Sequence, residues 1–307
     1  MITEKIIAIF LAVVVSASCQ QATTSFDAQR AYSFLTKQCD FGPRNPGSPG
    51  YVACKDYLID MMQQLADTVI TQPFQYTDMR DHKTHDLTNI IAQFNVDQPN
   101  HLLIGAHWDT RPWADWDPYT DLRDQPILGA NDGASGVAVL LELAHQFQVK
   151  SPPISITLIF LDGEDLGIPG NVNSYAQGSQ YFSKHLPVSV PDRAIILDMV
   201  GDANLSLPIE RNSYQIAPQL VKELWQLAEE LKLPAFKSFI DKTIFDDHIP
   251  LWEYARIPAI DIIDFDYPYE GENYWHTQDD IPGNCSPESL DQVGTLLMEY
   301  IWRQSND

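Results

Sequence analysis

Several short runs of this chain are apolar at almost every position, and that restricts the fold more than any other feature. I-T-L-I-F-L at 156–161 and A-I-I-L at 194–197 have no polar face to offer water. A strand of that kind has to be covered on both sides. Candidate strands fall at residues 89–94, 102–106, 155–161, 194–199 and 259–263. Helical spacing falls at 51–66, 133–147, 177–185, 218–231, 249–255 and 287–302. In the last of these, Leu290, Val293, Leu297 and Ile301 form one stripe. Strands alternating with helices predict an α/β fold: a mostly parallel, mixed twisted central sheet flanked by helices on both faces. Ligands in such folds gather beyond the carboxyl ends of the strands.

The first segment does not belong to that pattern. An apolar run at 6–15 followed by Ser16, Ala17, Ser18 and Cys19 suits an export signal and is too short to span a bilayer as a helix. Residues 1–19 are therefore expected to direct export. Two endings fit: lipidation of Cys19 with membrane anchoring, or ordinary cleavage after Ala17 or Cys19. A polar tether at 20–25, a single domain at 26–303 and a tail at 304–307 complete the expected organisation. Cys39, Cys54 and Cys285 remain, and both a Cys39–Cys54 disulfide and three buried thiols suit them.

Acidic side chains outnumber basic ones 42 to 19, a formal charge of −23. That surface repels nucleic acid and suits cationic partners, including peptides with a free amino terminus.

The strands end in polar residues of a particular kind. The run at 102–106 leads into His107-Trp108-Asp109, and 155–161 into Asp162-Gly163-Glu164-Asp165. The run at 194–197 leads into Asp198, while 259–263 carries Asp261 and leads on to Trp275-His276-Thr277. Asp132 stands in G-A-N-D-G-A-S-G just before a helix. Taken singly, Asp132 reads as a helix N-cap, Glu164 and Asp165 as a solvated loop, and His276 as an ordinary histidine. Taken in order, they are carboxylates and imidazoles gathered at one edge of a sheet, where a divalent cation relieves their mutual repulsion. Nitrogen and carboxylate oxygen without thiolate suit zinc. His82, His85, His101, His145 and His185 have no such context and are expected to be ordinary surface or core histidines.

These segments together resemble the zinc aminopeptidase superfamily and, within it, the glutaminyl cyclase (glutaminyl-peptide cyclotransferase) branch, exported bacterial members above all. The matching segments are D-F-G-P-R-N-P-G-S at 40–48, A-H-W-D-T-R-P at 106–112, G-A-N-D-G-A-S-G-V at 129–137, F-L-D-G-E-D at 160–165, G-S-Q-Y-F at 178–182, I-L-D-M-V-G at 196–201, D-D-H-I-P at 246–250 and W-H-T-Q-D-D at 275–280. The resemblance implies one zinc per chain held by Asp132, Asp165 and His276, with Glu164 as general acid/base. It also implies that Asp198 and Asp246 share its proton and that Trp275 walls the substrate pocket. The implied reaction converts the N-terminal glutamine of peptides or proteins to pyroglutamate and ammonia. Animal cyclases have Glu at the place of Asp165 and a histidine at the place of Asp261, so the wiring of the acid cluster differs here.

Two other functions fit the same residues. A two-zinc aminopeptidase would use His107 and Asp198 on one metal, Asp165 and His276 on the other, and Asp132 between them. A non-catalytic binding protein on the same fold has no use for Glu164. The acidic, aromatic stretch 108–121 is expected to form a loop over the site, either walling it or packing on the domain.

Overall fold

The computed structural model describes residues 25–80 and 82–304. The expected export signal, Cys19 and nearly all of the tether lie outside the described residues, as do the last three positions.

A six-stranded sheet runs in the order β1-β2-β4-β3-β5-β8. Its strands are β1 (Thr68–Thr77), β2 (Thr84–Phe94), β3 (His101–His107), β4 (Ser155–Leu161), β5 (Arg193–Asp198) and β8 (Ala259–Ile263). β4, β3, β5 and β8 are mutually parallel, while β1 and β2 pair antiparallel and β2 joins β4 antiparallel. The short β6 (Leu207–Ile209) and β7 (Phe236–Ile240) pair separately, and β9 (Pro268–Tyr269) and β10 (Glu272–Asn273) form a small ribbon.

Alternate residues of each strand feed opposite layers, as a period of two requires. On β4, Ile156, Leu158 and Phe160 enter the larger core, and Ile159 and Leu161 the smaller one. The helices are α1 (Ala28–Asp40), α2 (Pro49–Leu65), α3 (Ser135–Val149), α4 (Gln177–Lys184), α5 (Arg211–Ile216), α6 (Pro218–Leu231), α7 (His248–Ala255) and α8 (Pro287–Arg303). α1, α2, α3, α6 and α8 contribute to the larger core; α4 and α7 cover the other face through Phe182 and Leu251. α3 lies so close to the sheet that a Cβ at Gly136 would collide with the Leu197 carbonyl and stand 2.8 Å from the Ala106 Cβ.

The expected strands and helices are present with ends moved by a few residues, the expected strand at 194–199 ending at Asp198 because Met199 turns to φ +46°. α1, α5, β1, β6, β7 and the β9–β10 ribbon were not anticipated. Cys39, Cys54 and Cys285 are buried free thiols, so the Cys39–Cys54 bridge is not formed. Among the described residues no helix is long and apolar enough to cross a membrane.

Candidate metal centre and active site

The carboxyl ends of β3, β4, β5 and β8 open on one edge of the sheet, and the sequence-predicted residues converge there. Asp132 does not cap α3: the N-cap position is Ala134, with no side-chain cap bond. Instead its carboxylate faces both His107 and His276. His276 Nε2 is 3.0 Å from Asp165 Oδ1 and 3.5 Å from Asp132 Oδ2. His107 Nε2 is 3.1 Å from both Asp132 Oδ1 and Asp198 Oδ1. Two candidate ligand sets result, Asp132–Asp165–His276 and His107–Asp132–Asp198, each with its possible ligand atoms within 4.8 Å of one another.

The first set fits a divalent cation. Asp132, Asp165 and His276 are buried, and the Oδ2 atoms of both carboxylates accept no hydrogen bond. Buried, unpartnered carboxylate oxygens are costly unless a cation or proton meets them. Two oxygens and an imidazole nitrogen are a zinc donor set with room for a further ligand.

Two buried carboxylates hold the backbone beneath these ligands. Asp109 accepts the N–H groups of Glu164 and Asp165 at 3.1 and 3.2 Å. Asp280 accepts those of Asn131 and Asp132 at 2.7 and 3.1 Å. Arg44, also fully buried, donates to the carbonyls of Trp108, Leu128 and Gly129. Each ligand loop is thus tied to another segment by a fixed polar group. Asp109, Asp280 and Arg44 lie inside the quoted motifs, yet no spacing rule separates them from the ligands.

Glu164, Asp132, Asp165 and His276 line one cavity of about 440 Å³, which is also lined by Asp198 and Asp246 and walled by Tyr175, Ile244, Phe245, Phe265 and Trp275. That volume suits one or two residues of a peptide. The Trp275 ring stacks on His276 at 3.7 Å and meets Phe265 at 5.0 Å. The stretch 108–121 supplies none of these walls. Trp108 is buried against Tyr51, and Trp113 lies beneath Arg80 and Arg111. Trp116 is exposed and packs against Trp275 from outside. The stretch therefore braces the site rather than roofing it.

Burial drives the Glu164 carboxyl well above its ordinary range, and the nearby Asp246 and Asp165 add to that. Burial also acts to raise Asp165, but His276 and Arg111 outweigh it and hold that carboxylate below the usual range. Burial and the Asp198 charge push Asp246 up to about 6.

Behind Asp246 lies a set that the sequence did not reveal. His248 is fully buried, with Nε2 3.4 Å from Glu210 and Nδ1 3.9 Å from Asp261. Asp261, at the place where the resemblance left the wiring open, is buried on β8, and its carboxyl is raised by burial and by Asp246. Of the histidines given no role, His101 bonds Thr157 at 2.8 Å and His145 stacks on Phe34.

A helix-flanked mixed sheet with this acid and imidazole cluster at its carboxyl edge is the architecture of a metallopeptidase-like α/β protein. The model of peptidase family M28 matches residues 89–301, and the chain belongs to that family. It is 25% identical over 300 residues to the glutaminyl-peptide cyclotransferase of Bos taurus, covering 84% of this chain and 77% of that protein. Among solved structures it is similar to the glutaminyl cyclase of Bacteroides thetaiotaomicron bound to N-acetylhistamine (TM-score 0.87, 35% identity, 92% of this chain and 99% of that one). A Zn-dependent exopeptidase from Parabacteroides distasonis is as similar (TM-score 0.87, 34% identity, 92% and 99%).

Proposed function

We propose that the protein is a zinc-dependent glutaminyl-peptide cyclotransferase. The observation that carries this reading is that Glu164, Asp246 and Trp275 line the same cavity as Asp132, Asp165 and His276. The similarity to cyclases, both in sequence and in structure, supports it.

Zinc bound by Asp132, Asp165 and His276 would polarise the γ-amide carbonyl of the substrate glutamine. The remaining work falls to the chain. The carboxylates of Glu164, Asp198 and Asp246 that line the cavity attract the substrate ammonium, and the apolar wall with Trp275 packs on the glutamine methylenes. Holding the glutamine folded on itself brings its α-nitrogen to its own Cδ and removes much of the entropic barrier. An ammonium cannot attack, so a carboxylate lining the cavity first takes one proton from it, and Glu164 takes a second from the α-nitrogen as the new C–N bond forms. It returns that proton to the γ-nitrogen as the old C–N bond breaks and ammonia departs. Asp246, which burial pushes up to about 6 and whose charge helps to raise Glu164, shares the proton load.

The set His107–Asp132–Asp198 favours a second reading, a two-zinc aminopeptidase with Asp132 bridging. The test is to offer zinc-loaded protein a Gln-initiated and a Leu-initiated peptide amide while counting zinc per chain. Ammonia from the first with one zinc supports cyclisation; free leucine from the second with two zincs overturns it. Inactivity toward both points to a binding protein.

A further inference from the structure

Arg111 and Asp115 stand behind the proposed zinc ligands and have no part in the chemistry above. Arg111 is fully buried. Its Nε and Nη2 grip both oxygens of Asp115 at 2.8 and 2.7 Å. Its Nη1 donates to the Asp165 and Gly167 carbonyls at 3.1 Å each and reaches Asp165 Oδ1 at 3.4 Å. Asp115 Oδ1 in turn faces His276 Nδ1 at 3.4 Å. That nitrogen is buried and otherwise unpartnered.

The same loop holds the backbone of this turn. The Trp116 N–H donates to the His276 carbonyl at 3.2 Å, and Asp117 accepts the Gln278 N–H at 3.0 Å. His276 needs the support, because its φ of +56° lies in the left-handed region that non-glycine residues seldom occupy.

We infer that Asp115 and Arg111 form a positioning pair for the metal centre. Asp115 accepts a hydrogen bond from Nδ1–H of His276 and so turns Nε2 toward Asp132 and Asp165. Arg111 locks Asp115 and Asp165 to one rigid fork, which joins two ligands from separate loops. Because the pair is neutral overall, it orients the imidazole without adding charge to the site. A carboxylate behind a ligating histidine commonly strengthens metal binding about 10- to 100-fold. The inference rests on the zinc reading of Asp132, Asp165 and His276.

The experiment is zinc affinity by chelator competition on the whole chain, with the melting temperature of the metal-free protein measured alongside. D115A is expected to bind zinc about 10- to 100-fold more weakly. D115N keeps one oxygen, which can face both Nδ1–H and Arg111 Nε as Asp115 Oδ1 does, but turns an NH2 group toward Arg111 Nη2, and is expected to recover part of the loss. If D115A binds zinc as tightly as wild type while H276A does not, the pair is merely structural and the inference is overturned. If wild type and H276A bind zinc alike, the zinc reading itself fails. Should D115A not fold, R111K decides: lysine keeps the charge but not the fork. Binding about tenfold weaker then supports the inference, and unchanged binding overturns it.

Discussion

Glu164 and Asp165 are neighbours in the chain, and their carboxyl groups are driven in opposite directions. Glu164 is raised well above its ordinary range, whereas Asp165 is held below it by His276 and Arg111 against the effect of burial. Asp109 binds both of their backbone N–H groups, so the two side chains are presented from one fixed turn. Adjacent carboxyls of opposite tendency suit one to carry a proton and the other to hold a cation.

Glu164→Gln is expected to keep zinc and lose about 10²- to 10⁴-fold in turnover. Metal content and steady-state rate on a Gln-initiated peptide check this. Undiminished turnover would remove the proton-carrying role from Glu164.

Zinc binding to the folded state adds about 2.7 kcal/mol at a hundredfold excess over Kd. Chelation should therefore lower the melting temperature of the wild type. In His276→Ala, which lacks one of the three proposed ligands, the shift should largely vanish, and an undiminished shift would place the stabilising metal elsewhere.

To accept a proton Glu164 must be ionised, so its raised pKa puts the acid limb of kcat above the 4.5 of an ordinary glutamate. The Asp246 charge helps to raise it. Asp246→Asn removes that charge and is expected to move the limb to lower pH, besides reducing the rate. A limb that stays in place in the pH profile would separate Asp246 from Glu164.

Burial acts to raise Glu210, but His248 and the N–H groups of Ile244 and Asn212 pull it down to about 2, from 4.5 for an ordinary glutamate. A depressed carboxyl stabilises the fold above its unfolded pKa and loses that contribution as pH falls through the folded one. The stability difference between metal-free wild type and Glu210→Gln should accordingly shrink from pH 7 toward about pH 2. Urea titrations at several pH values measure it, and a gap that widens on acidification would refute the assignment.

Gly136→Ala forces a Cβ against the Leu197 carbonyl and the Ala106 Cβ, where α3 crosses the sheet. Overpacking of this kind costs about 1–3 kcal/mol. Gly283→Ala, whose Cβ would meet only Ile281 at 4.0 Å, should be close to neutral. Equal urea midpoints for the two variants would contradict the close approach.

The strands at β4 and β8 and the helix α6 were legible with both ends correct, because short runs dominated by β-branched and other apolar residues and a 3.6-residue stripe report burial directly. β1 was not, since Pro73 and Gln72 interrupt a strand that lies at the sheet edge, where fewer apolar residues are needed. α1 carried a readable signal: Ala31, Phe34, Leu35, Gln38 and Cys39 are buried at helical spacing behind the Asp27 cap. Asp132 and Asp165 were visible because they stand beside a helix start and just past a strand end, and His276 through the W-H-T-Q-D-D segment. His248, Asp115 and Arg111 were not, because their roles arise only from what lies across the fold.

By itself the sequence determined the layered α/β fold, the edge of the sheet that carries the polar residues, and the acids and imidazoles that gather there. Those follow from local patterning, which a chain expresses whatever its distant contacts. Tertiary structure alone decided that Asp132 faces two histidines instead of capping α3, and that the aromatic loop braces His276 instead of roofing the cavity. It alone decided that Arg111 joins Asp115 to Asp165. Hydrogen bonds between segments far apart in the chain depend on distances of a few ångströms, and those distances exist only once the sheet and its helices have packed.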